Sequence, residues 1–176
     1  MEIYTIGHST HSEKNFLDIL QSFKIQVLAD VRSLPGSRYL PHFNQESMSV
    51  ALKSIGINYV HMPGLGGRRR KICNDNLHLV AGWKHVAFRN YALYSLTSEF
   101  EKELNELISI AKKFRVVIMC AESVPWKCHR LLISNSLVAK GIKVLHILNK
   151  NDIITHALGK YGAKAEILEC RVIYPD

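Results

Sequence analysis

The chain has 176 residues, of which 47% are hydrophobic and 22% charged, with a formal net charge of +8. That length and balance fit one soluble α/β-sized domain around one core, residues 1–176 as a unit. No apolar run reaches the roughly 18–20 residues that span a bilayer, and the start, MEIYTIGHST, lacks a basic n-region and cleavage site, so membrane and secreted classes are set aside.

Read in chain order, strand and helix patterns alternate. Residues 2–6 (EIYTI) are strand-like. Ser12 is placed to cap a helix with an apolar face of Phe16, Leu17, Leu20 and Phe23. Residues 25–31 (IQVLADV) read as a buried strand. Asn44 is placed to cap a helix carrying Met48, Leu52 and Ile55 and stopped by Gly56, and residues 57–61 (INYVH) form a third strand. Ser98 and Glu101 have capping-box spacing ahead of Phe100, Leu104, Leu107, Ile108 and Ala111. Residues 115–120 (RVVIMC) are the strongest strand, 128–141 a helix closed by Gly141, and 142–148 (IKVLHIL) a fifth strand. After Asn149 a short helix is expected, then an edge strand within 165–174.

This β-α-β order predicts a three-layer α/β sandwich: a mostly parallel central sheet of about five strands, with helices on both faces. Right-handed crossovers bring the strand C-termini to one edge, where open α/β sheets hold their ligands. The residues just after the strands are therefore the candidates. His8 follows the first strand in IGHST, and its imidazole suits proton transfer near neutral pH. Asp30, Arg32 and Arg38 lie in DVRSLPGSR (30–38). There Asp30–Arg32 reads either as a structural strut or, with Arg38, as part of an anion site in which Asp30 is a candidate catalytic carboxylate. Arg68 belongs to PGLGGRRRK (63–71), whose glycines and cations can clamp phosphate but lack the G-K-[ST] of a Walker loop.

Charge points the same way. Between residues 47 and 98, Lys53, Arg68, Arg69, Arg70, Lys71, Lys84 and Arg89 face one acid, Asp75. Such a field favours an anionic small molecule or nucleic acid, or it merely solvates a loop. Trp83, Phe88, Tyr91 and Tyr94, interleaved with Lys84, His85 and Arg89, suit base stacking or, more ordinarily, a helix packed into the core.

The densest chemistry is MCAESVPWKCHR, residues 119–130. Cys120 and Cys128 are seven residues apart, too far for a standard zinc knuckle. Cys128 and His129 are adjacent, so on a helix their side chains would diverge by about 100°. A metal site of Cys120, Cys128 and His129 stays open, as does a redox role. A second reading makes Cys120 a nucleophile, with His129, Arg130 and the helix start binding an anion. A third makes Glu122 the general base or cation stabiliser and the thiols packing groups. The four cysteines, Cys73, Cys120, Cys128 and Cys170, are dispersed, which fits a reducing cytoplasmic setting.

Taken in order, IGHST, DVRSLPGSR with PHFN, YVHMPGLGGRR, GWKHVAFRNYA and MCAESVPWKCHR resemble the bacterial and archaeal family catalogued as domain of unknown function 488. The resemblance spans roughly residues 2–150, leaving 151–176 as an extension. It implies a small α/β domain without an established biochemical role or catalytic assignment. The motif positions it carries over are His8, Asp30, Arg32, Gly67, Arg68, Cys120, Glu122, Cys128, His129 and Arg130. Three functions follow: an enzyme on a phosphorylated or otherwise anionic ligand such as a nucleotide or nucleic acid, a non-catalytic nucleic-acid-binding module, or a Cys/His metal-binding or redox protein.

Overall fold

The computed structural model describes residues 1–70 and 75–176, with Asp75 described by its backbone alone; Lys71 and Cys73, weighed above, lie outside the described residues. In chain order the elements are β1 (Glu2–Gly7), α1 (Glu13–Ser22), β2 (Val27–Asp30), α2 (Gln45–Ser54), β3 (Asn58–His61), α3 (Val86–Ser95), α4 (Ser98–Ala111), β4 (Val116–Cys120), α5 (Arg130–Ala139), β5 (Lys143–Asn149) and β6 (Asp152–Thr155). A separate hairpin, β7 (Glu166–Leu168) and β8 (Arg171–Ile173), follows.

The sheet order is β3-β2-β4-β1-β5-β6. The first five strands pair in parallel, and β6 closes the edge antiparallel to β5. The α/β sandwich expected from the sequence is therefore present, with a sixth strand. Successive strand residues point to opposite faces. Ile3, Val27, Ala29, Val116, Ile118 and Val144 pack under α3, α4 and α5, against Tyr91, Phe100, Leu104, Leu107 and Leu131. Tyr4, Ile6, Leu28, Val117, Met119 and Leu145 pack under α1 and α2, against Phe16, Ile19, Leu20, Met48 and Leu52. Truncating a fully buried residue such as Leu104 would cost about 2–5 kcal/mol. No helix among the described residues is long and apolar enough to cross a membrane.

Several local expectations are corrected. Ser12 caps α1 as read, its Oγ accepting from the Asn15 N–H at 3.2 Å. The cap of α4 is Thr97, one residue before Ser98, with Oγ1 accepting from the Phe100 N–H. Asn44 occupies the N-cap of α2, but its Oδ1 accepts from the Ser37 N–H at 2.6 Å and so ties the preceding loop. Beyond Asn149 there is no helix among the described residues: the edge strand comes earlier, at β6, and 165–174 folds back on itself as the hairpin. Trp83 precedes α3 rather than lying on it. Trp83, Tyr91 and Tyr94 are all buried, and Trp83 stacks on Phe88 at 4.8 Å.

A polar chain runs through this core. Arg130 Nη1 donates to Thr5 Oγ1 at 3.5 Å, and Thr5 Oγ1 lies 2.8 Å from His146 Nδ1. His146 Nε2 lies 3.0 Å from His156 Nδ1, and His156 Nε2 lies 2.8 Å from Asn135 Oδ1. Asn135 Nδ2 donates to the Tyr174 hydroxyl at 3.0 Å. One assignment satisfies every link: both rings are neutral, donating from Nε2 and accepting at Nδ1. Burial, with His156 and Arg130 adding repulsion, holds His146 down to about 3, and burial holds His156 down to about 4.

The linkage sign follows. In the unfolded chain these rings take up protons near pH 6.5, while the folded rings refuse them until about 3–4. Stability is complete above about pH 6.5 and is lost as pH falls toward 4, on the order of 2–3 kcal/mol per ring. Thermal melts across pH 4–8 are expected to show this decline, and His156→Gln should reduce its slope by about one proton. A flat profile would contradict the assignment.

Candidate functional site

Chain direction locates the site. The connection after β1 leaves leftward in the strand order, through α1 to β2. The connection after β4 leaves the other way, through α5 to β5. Since β1 and β4 are neighbours, their ends open a crevice, the usual ligand position in open α/β sheets. Pairing continues past the strands: the His8 N–H donates to Cys120 O and the Ser9 N–H to Ala121 O, both at 2.9 Å. Gly7 permits this approach, because a Cβ there would stand 1.8 Å from the Glu122 carbonyl oxygen.

The crevice holds a cavity of about 650 Å³. Of the candidates read from sequence, His8, Arg32, Arg68, Cys120, Glu122, Cys128 and His129 line it, whereas Asp30, Arg38 and Arg130 do not. Arg38 is exposed outside it. Asp30 is fully buried. Its Oδ1 accepts from the Arg32 N–H at 3.0 Å and Nε at 2.9 Å, and its Oδ2 from Arg32 Nη2 at 2.5 Å and the Tyr59 hydroxyl at 2.7 Å. This is the strut reading of Asp30, and it fixes Arg32 on the cavity wall.

His8 is a neutral, fixed ring. Its Nδ1 lies 3.0 Å from Ser9 O, a carbonyl that only accepts, so Nδ1 carries the hydrogen. Its Nε2 then accepts from Arg32 Nη1 at 3.2 Å, and the ring stacks on Phe43 at 4.3 Å. Burial, reinforced by Arg32, pushes its pKa down to about 4. It is thus less suited to proton exchange at neutral pH than its residue type implies.

Arg130, 1% exposed, serves the loop rather than the cavity. Its Nη2 donates to the carbonyls of Glu122 and Ser123. Arg69 likewise braces the glycine loop, donating to the carbonyls of Pro63, Gly64 and Gly66 and lying 3.6 Å over the Tyr94 ring. Among the described residues, the exposed cations on the cavity are Arg68 and Lys127. Lys127 was not singled out in the sequence, although it lies inside the 119–130 motif.

Cys120 and Cys128 meet on the cavity floor. A short 3-10 turn, Pro125–Lys127, returns the chain, and Cys128 is extended (φ −138°, ψ 155°) before His129 caps α5. Since Cys128 is not on the helix, the expected divergence from His129 does not arise. His129 Nδ1 lies 3.5 Å from Cys128 Sγ and 4.0 Å from Cys120 Sγ, while Nε2 donates to Val31 O at 3.0 Å. The hydrogen bond from Cys120, with His129 and Arg130 nearby, holds the Cys128 thiol well below the usual range. Making that bond, together with burial, pushes the Cys120 thiol up.

The Gly7 contact gives a test. Gly7→Ala forces a methyl group into a backbone carbonyl and should destabilise by about 1–3 kcal/mol, whereas Gly36→Ala, with nothing within 4 Å, should change little. Chemical denaturation of the two variants measures the difference; equal stabilities would refute the close approach.

Comparison with known proteins is informative at one level. No curated protein and no solved structure matches the chain. The family model described as domain of unknown function DUF488 matches residues 12–137, which include the cavity residues from Arg32 to His129. That is well over half of the sequence, and the chain belongs to the DUF488 family.

Proposed function

We propose that the cavity binds a phosphorylated or similarly anionic ligand of nucleotide size and that the protein is an enzyme acting on it. The observation that carries this reading is the lining: among the described residues, Arg32, Arg68 and Lys127 line the cavity with one carboxylate, Glu122, at a switch-point crevice with two thiols on its floor. Arg68 and Lys127 are exposed and would hold the anion. Arg32, neutralised by Asp30, would shape the wall and lend a smaller attraction. Glu122 would act as general base or stabilise a developing cation, and the thiol pair offers a nucleophile.

Burial of Trp83, Tyr91 and Tyr94 favours this reading over a strand-binding module, because those rings are committed to the core and leave no stacking row for successive bases. Phe88, half-buried on the cavity wall, can receive one apolar ring.

Calorimetric titration with nucleoside mono- and triphosphates, the parent nucleosides and a short single-stranded oligonucleotide tests the proposal. Nucleotides should bind and nucleosides should not, with Arg68→Ala and Lys127→Ala each weakening binding about fivefold, or about 1 kcal/mol. Phosphorus NMR of the mixtures should show a new resonance that Glu122→Gln abolishes. Binding of the oligonucleotide alone, falling steeply with salt, would favour the non-catalytic module instead. No binding of any phosphate compound would refute both.

A further inference from the structure

We propose that Cys120, Cys128 and His129 form a site for a thiophilic divalent ion of the zinc class, with its free coordination position open to the cavity. The inference stands apart from the ligand reading, since it rests on donor geometry and is tested with metal alone.

The donor atoms of the three residues all lie within 4.8 Å of one another. Zinc–sulfur and zinc–nitrogen bonds of about 2.3 and 2.0–2.1 Å at tetrahedral angles require donor separations of about 3.5–3.8 Å. The observed imidazole-to-sulfur separations are 3.5 and 4.0 Å. Two of the trio's three edges are therefore close to those of a coordination tetrahedron, and the sulfur–sulfur edge is no longer than 4.8 Å.

Two further features point to a ligand there. His129 donates from Nε2 to the Val31 carbonyl, which fixes the ring and leaves Nδ1 as the coordinating nitrogen facing the sulfurs. Gly67 supplies room at that nitrogen: a Cβ on residue 67 would stand 2.5 Å from His129 Nδ1. This gives a reason for glycine at a position whose backbone is not in the left-handed region. The donor types also agree, as thiolate and imidazole select zinc over the hard cations.

All three residues line the cavity. Three protein ligands with an accessible fourth position are the pattern of catalytic rather than structural zinc. The seven-residue gap between the cysteines, wrong for a zinc knuckle, arises because Cys120 ends a strand and Cys128 precedes the next helix.

The test uses the reduced, metal-free full chain. Titration with Zn²⁺ against a chromophoric chelator should give one ion per chain. Co²⁺ should give thiolate charge-transfer bands and tetrahedral d–d absorption. Cys128→Ser should weaken binding by at least about 100-fold and Gly67→Ala by about tenfold, while Cys170→Ser, at an exposed cysteine, should leave it unchanged. Should the cysteine variants misfold, alkylation mapping of the wild-type chain decides: Zn²⁺ should protect Cys120 and Cys128 and leave Cys170 reactive. Equal alkylation with and without Zn²⁺, or an ion retained by Cys128→Ser, would overturn the proposal. Nucleotide titration of the metal-free protein is a separate measurement, so either reading can fail alone.

Discussion

The site depends on one buried cation. Removing a guanidinium from water costs several kcal/mol unless dipoles or an acid replace the lost hydration. Arg130 is 1% exposed and forms no ion pair among the described residues. Backbone carbonyls of Glu122 and Ser123, with the Thr5 hydroxyl, replace part of that hydration at Nη1 and Nη2, while the buried Nε has no hydrogen-bond partner among the described residues. The loop that carries Glu122 must therefore fold back over the first turn of α5. The same Glu122 carbonyl also lies against Gly7, so strand, loop and helix meet at one oxygen. The neutral histidine chain continues from Thr5 behind this contact, and protonating His146 would set a second charge near the first.

This arrangement divides the arginines by task. Arg130 and Arg69 spend their donors on carbonyls, and Arg32 spends most of its donors on Asp30 and Phe43. Among the described residues, Arg68 and Lys127 at the rim remain for the proposed anion. A cation count along the sequence overstates the local field, because buried cations are already solvated by the protein.

Much of this was legible beforehand. Strands with continuous apolar runs and helices with apolar faces gave the sandwich, and strand ends gave the site edge. His8, Arg32, Cys120 and Glu122 were singled out because each ends or closely follows a strand. What escaped depended on contacts that one-dimensional spacing does not encode. Cys128 and His129 converge because one is extended and the next caps a helix; a helical wheel applied across that boundary separates them wrongly. Asp30 looked catalytic by type, but Arg32 and Tyr59 saturate it. The tail misled because short, half-exposed strands such as β6 and β7 carry little periodicity, and their pairing is set by β5 and by each other.

The thiol pair and the cationic rim are best understood together. On the proposed reading, a thiolate at Cys128, whose pKa is held down, would oppose an incoming anion and offset part of the attraction from Arg68 and Lys127. A divalent ion held there by two thiolates and a neutral imidazole would remove that opposition, since the cluster would then carry no net charge. It would also offer a Lewis-acidic position to an anionic oxygen. On the proposed reading, the occupant of Cys120, Cys128 and His129 decides whether the floor repels or receives the ligand. The Val31 carbonyl and Gly67, neither of them a charged group, then set the chemistry of the cavity by deciding where His129 points.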